Sequence, residues 1–135
     1  MIPGHELRLG NYVLVEQSIR QVSMINDASS ATTALPGEQV NETAENKFQG
    51  LETLQPVPLT DAVLQQCNFV YHDYFKFWQL ITGEGESRSE MDIDRNFNIL
   101  DFMRKPIVKS VASLHQLQNI YFMLKGKELA FRKEA

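Results

Sequence analysis

Cysteine is all but missing from this chain. Cys67 stands alone among 135 residues, which excludes an internal disulfide and a cysteine-rich zinc site. A lone thiol reads as a small buried hydrophobe rather than a nucleophile. Long apolar runs are missing too: no stretch approaches the roughly 20 residues that span a bilayer. The opening M-I-P-G-H-E-L-R lacks the basic and then apolar pattern of a secretory signal. A cytoplasmic protein with no membrane partner is expected. Basic charge is scarce where nucleic acid would need it. The net charge is −4, which argues against a dedicated nucleic-acid binder. That charge is uneven: residues 1–103 carry 6 basic and 15 acidic side chains, residues 104–135 carry 7 basic and 2 acidic. The basic end could meet an acidic surface on a partner or a second copy, or could simply be a solvated face.

Catalytic and cofactor signatures are absent as well. Gly83-Glu84-Gly85 lacks the third glycine and the following helix of a dinucleotide fingerprint. Asp92, Asp94 and Asn96 open like a calcium loop. Phe97, however, occupies the place that needs glycine, and Met103 the place that needs glutamate. No metal site, no cofactor and no catalytic residue is assigned on this basis, and the chain is expected not to be an enzyme.

What is present most clearly is a helix near the C-terminus. Ser113 can cap its start, with Gln116 placed to complete a capping box. Leu114, Leu117, Ile120, Tyr121 and Leu124 recur at helical spacing and form one apolar stripe. Gly126 then suits a left-handed C′ position. Beside this stripe run His115, Gln118 and Phe122, with Asn119 adjoining. Two readings of them stand open: the edge of a broad apolar face with solvated polar neighbours, or a contact surface for another chain or a ligand. A catalytic His115 is disfavoured because no nucleophile or carboxylate lies near it in sequence.

Upstream, residues 6–16 read as a strand with a bulge at Gly10-Asn11, and 19–25 as its hairpin partner. Residues 26–45 are rich in Ser, Thr, Ala and Glu and predict a low-complexity arm or long loop. A third strand is expected over 47–57, and a two-turn helix after Thr60, with Asn68 turning out of it. The aromatic run 70–81 predicts one strand with both faces apolar, read as core in preference to a base-stacking platform. Further strands are expected over 90–93, 97–102 and 107–111, with a last short strand or a trailing end at 128–132. The pattern predicts an α+β fold in one domain spanning 1–135. A small, strongly bent antiparallel sheet or partial barrel would pack against the C-terminal helix and the short central one.

Three blocks carry a resemblance: E-L-R-L-G-N-Y-V (Glu6–Val13), Q-P-V-P-L-T (Gln55–Thr60) and H-Q-L-Q-N-I-Y-F (His115–Phe122). Together they resemble a family of small, uncharacterised bacterial and prophage-encoded proteins. Met123, Leu124, Lys125-Gly126 and Glu128-Leu129 follow that family's C-terminal pattern loosely. The resemblance implies a phage or mobile-element setting, including a place in a virion, and brings no activity or catalytic residue with it. The resulting expectation is a non-enzymatic interaction or structural protein working through protein–protein contacts or self-association in an assembly. The alternative is a small-ligand-binding, sequestering module of phage origin.

Overall fold

The computed structural model describes residues 2–3, 6–27, 30–35 and 47–132, with the backbone alone at 26, 27 and 47–49. The chain forms two compact units. Residues 1–58 and 113–120 make the first; residues 59–112 and 121–135 make the second. Each holds a five-stranded sheet of antiparallel pairings. With two α-helices among the described residues the class is α+β, and neither sheet closes into a barrel.

In the first unit, β1 (Tyr12–Val15) turns into β2 (Ser18–Asp27) through Glu16 and Gln17. Both turn residues have positive φ, 51° and 69°, as a two-residue turn matching strand twist requires. The bulge expected at Gly10-Asn11 is present. Gly10 has φ 88°, its N–H donates to Val22 O, and Val22 N–H donates to Asn11 O. Two residues thus face one, and the strand proper begins only at Tyr12.

The predicted arm is partly a strand. β2 runs on to Asp27, and β3 (Ser30–Ala34) pairs with both β2 and β4 (Lys47–Gly50). Ala31, Thr33 and Ala34 are buried, and the buried Arg20 donates to Thr33 Oγ1 at 2.9 Å and to Thr33 O at 3.1 Å. Small side chains bury little area each, so composition suggests disorder. A strand hydrogen-bonded on both edges meets its ordering cost through the ladder and close packing instead. Residues 28, 29 and 36–45 of that expected arm lie outside the described residues.

The expected strand over 47–57 breaks in two. Leu51–Thr53 is a 3-10 turn, and β5 (Gln55–Pro56) pairs with β1. Leu51 and Leu54, three apart, are both buried, and 3-10 winding puts that spacing on one face. The sheet order is β4-β3-β2-β1-β5. Its core gathers Ile2, Leu7, Val13, Val15, Val22 and Leu54 among others.

The second unit opens with α1 (Asp61–Gln66), where Thr60 Oγ1 accepts from Val63 N–H and Asn68 leaves at φ 71°. The aromatic run is a hairpin, not one strand: β6 (Val70–His72), a turn over Asp73–Lys76, and β7 (Phe77–Thr82). Lys76 has φ 59° and donates its N–H to His72 O at 2.8 Å, which closes the turn. The turn escapes a periodicity reading because its centre is Tyr74 and Phe75 rather than glycine or proline. β8 (Ser89–Asp94), β9 (Ile99–Leu100) and β10 (Pro106–Val108) complete the order β10-β9-β8-β7-β6. No strand forms at 128–132; Leu129 is buried and Arg132 N–H donates to Gln66 O.

The C-terminal helix, α2 (Leu114–Lys125), gives its first residues to the first unit and its last to the second. Gly126 ends it at φ 72°, donating its N–H to Phe122 O. Leu114, Leu117 and Tyr121 are buried, each such side chain contributing about 1.5–3 kcal/mol. Leu124, counted in the same stripe, is 51% exposed because it borders an open cleft.

Candidate functional site

In the first unit, the polar stripe of α2 turns inward. Gln118 is 1% exposed; its Oε1 accepts from Tyr12 N–H at 2.8 Å and its Nε2 donates to Gly10 O at 3.0 Å. Asn119 Oδ1 accepts from Asn11 Nδ2 at 2.8 Å and Arg8 Nε at 3.1 Å, while its Nδ2 donates to Glu6 O at 2.7 Å. His115 is 2% exposed, with Nε2 3.2 Å from Glu6 Oε2 and Nδ1 3.1 Å from Ser113 Oγ. The carboxylate only accepts, so Nε2 carries a proton and, in the neutral ring, Nδ1 accepts from the hydroxyl.

The contact-surface reading of His115, Gln118 and Asn119 is therefore corrected: these side chains fasten the segment from Glu6 to Tyr12 to the helix. Beside the bulge, Gln118 bonds both Gly10 O and Tyr12 N–H, and Gln21 Nε2 is a second donor to Gly10 O at 3.2 Å. Phe122, the fourth residue of the stripe, is 40% exposed and belongs to the second unit. Ser113, His115 and Glu6 do line up as hydroxyl, imidazole and carboxylate. The hydroxyl belongs to a residue only 2% exposed, however, so the row holds structure together rather than meeting a substrate. Nothing near His115 in sequence announces Glu6, which arrives from 109 residues away.

The second unit carries its chemistry outward. Gln79 on β7 faces Asp92 on β8, and its Nε2 donates to Asp92 Oδ1 at 3.0 Å and Glu90 Oε2 at 2.6 Å. His72 Nε2 lies 3.1 Å from Gln79 Oε1. Burial raises the Asp92 carboxyl above its ordinary range, with Glu90 adding to the rise; the Gln79 hydrogen bond and the charges of Arg104 and His72 oppose it. Gln79, Glu90, Asp92 and Arg104 line a cleft of about 460 Å³ together with Phe102, Ile107 and Leu124.

One edge of that cleft is a turn built by Asp101. Its Oδ1 accepts from Met103 N–H at 2.8 Å and Lys105 N–H at 2.9 Å, and its N–H donates to Lys105 O at 2.9 Å. Arg104 sits at φ 62°, a left-handed conformation that costs about 1–2 kcal/mol outside glycine. Its guanidinium lies 4.4 Å from the Phe75 ring centroid and 4.8 Å from that of Phe77, stacking that offsets part of the strain. The braced turn holds Phe102 at 93% exposure and Met103 at 63%.

A second cleft, of about 640 Å³, is bordered by Tyr71, Trp78 and Phe97 with Lys76, Arg95, Asp61, Asp73 and Gln65. Tyr71 and Trp78 rings stand 5.1 Å apart. Phe97, like Lys76, has a positive φ, here 60°. The turn that holds Phe97 depends on Asp94, whose Oδ1 accepts from Asn96 and Asn98 N–H and whose Oδ2 accepts from Asn98 Nδ2. The carboxylate that opened like a calcium loop thus serves its own turn. Among the described residues, no three His, Cys, Asp or Glu side chains converge on a possible metal position. Cys67 is fully buried, and burial pushes its thiol up to about 12, which leaves it protonated and unreactive at neutral pH. Among the described residues, no helix is long and apolar enough to cross a membrane.

No protein-family model matches the chain, and no curated protein or solved structure is significantly similar to it.

Proposed function

We propose that the chain is a non-enzymatic interaction protein that works through protein–protein contacts made by its second unit. The observation that carries this reading is the turn Asp101–Lys105. Four hydrogen bonds and two ring contacts brace a loop whose tip offers Phe102 and Met103 to solvent. An apolar tip held this firmly loses little conformational entropy on binding, which is how a contact anchor gains affinity. Nearby exposure of Phe75, Ile107 and Leu124 widens the apolar area, and Glu90, Asp101 and Lys125 supply a polar rim. A place in a phage or prophage assembly is part of the proposal and rests on the three sequence blocks alone.

Self-association is the simplest form of such contact. Size-exclusion chromatography with light scattering, run over a wide concentration range, should show mass increasing with concentration. Phe102→Ser should abolish that increase. A chain that stays monomeric at every concentration, with Phe102→Ser indistinguishable from it, would rule out this form of the contact.

A further inference from the structure

We infer that the cleft bordered by Tyr71, Trp78 and Phe97 binds a mononucleotide, a ligand that joins a planar ring to an anionic group. Tyr71 and Phe97 are half-buried, so each presents part of its ring to the cleft. Every nucleobase has a face that stacks on such rings. Lys76 and Arg95 are exposed on the same cleft and can take a phosphate, the guanidinium with two parallel hydrogen bonds. Asp61, Asp73 and Gln65 offer acceptors for ribose hydroxyls and exocyclic amines.

The charges argue for a ligand with two unlike ends. Asp61, Asp73, Lys76 and Arg95 border one cleft, yet none forms an ion pair with a described residue. Opposite charges that share a cleft without closing on one another leave room for a molecule between them. The volume of about 640 Å³ suits a small ligand. A simple anion would use the two cations and leave the rings idle. An extended polyanion would meet a chain of net charge −4. Sequence alone shows one cation within the aromatic run, Lys76; Arg95 comes from the turn after β8, and only folding brings it to the same cleft.

Trp78 is the single tryptophan in the chain and lies against Tyr71 in this cleft, so its emission reports the cleft alone. The full chain is titrated with adenosine and guanosine 5′-monophosphate, with excitation beyond the nucleotides' own absorption. Saturable quenching by at least one is expected. Adenosine and inorganic phosphate, run as separate arms, should each bind at least about tenfold more weakly, because each carries half of the recognised chemistry. The double variant Lys76→Ala, Arg95→Ala, at two exposed positions, should weaken nucleotide binding at least about tenfold with an unchanged melting temperature. Absence of a saturable change with both nucleotides at millimolar concentration would overturn the assignment. So would full binding by the double variant, or phosphate binding as tightly as the nucleotides. None of these readings depends on Phe102 or on the oligomeric state.

Discussion

The two units differ in where they place polar side chains and in how far they expose apolar ones. The first buries polar groups: Asn11, Arg20, Thr33, His115 and Gln118 are all at most 2% exposed. The second exposes apolar ones, from Tyr74 at 88% to Phe102 at 93% and Met123 at 83%. In the first, an irregular N-terminal segment must be held against a helix, and hydrogen bonds with defined geometry do this more specifically than apolar contact. In the second, tight turns carry Tyr74 and Phe102 into solvent, and the last turns of α2 carry Met123. Buried polarity therefore marks fastening here, and exposed apolarity marks a surface available to something else.

Three substitutions put that contrast to the test. The largest effect is expected at Gln118→Ala. It removes the Gln118 acceptor from Tyr12 N–H and one of the two amide donors from Gly10 O, which keeps Gln21 Nε2 at 3.2 Å, a loss of about 2 kcal/mol. Urea denaturation measures it, and a loss below about 0.5 kcal/mol would mean that water or a shifted neighbour replaces the amide. A smaller effect follows from Asp92→Asn. The Asp92 carboxyl is raised in the folded chain, so the folded state holds its proton more tightly than the unfolded state does. Stability from this group is fullest below its ordinary value of 3.8 and falls as pH rises through the raised folded value. The variant should therefore melt slightly higher than the parent at neutral pH, with the difference vanishing in acid. A melting-temperature series across pH checks this, and a gap that widens in acid would reverse the assigned sign. The smallest effect on stability is expected from Phe102→Ser. A residue 93% exposed should change unfolding free energy by less than about 0.5 kcal/mol, even as association is lost. A clear destabilisation there would mean that Phe102 packs within its own chain.

The sequence reading succeeds where structure is local. Thr60 caps α1, Asn68 leaves it left-handed, Gly126 closes α2, and Gly10-Asn11 bulges β1. It falters where a turn has apolar residues at its centre, as at Tyr74-Phe75, and where small residues form an inner strand, as at Ala31 and Ala34. The candidate sites were less legible than the fold. The spacing of His115, Gln118 and Asn119 picks out a coherent face, yet says nothing of whether water or the segment Glu6–Tyr12 covers it. Asp101 as the builder of a turn that presents Phe102, and Arg95 as the second cation beside the aromatic cleft, carry no signal in the linear pattern.

The helix ends, the first hairpin and the α+β class follow from local sequence, because capping, turn preference and periodicity act within a few residues. The sorting of the antiparallel strands into two sheets, the internal use of the helix's polar stripe and the charges gathered at each cleft arise only on folding. Those outcomes depend on partners tens of residues away, whose approach is set by packing and hydrogen-bond satisfaction across the fold rather than by neighbours along the chain.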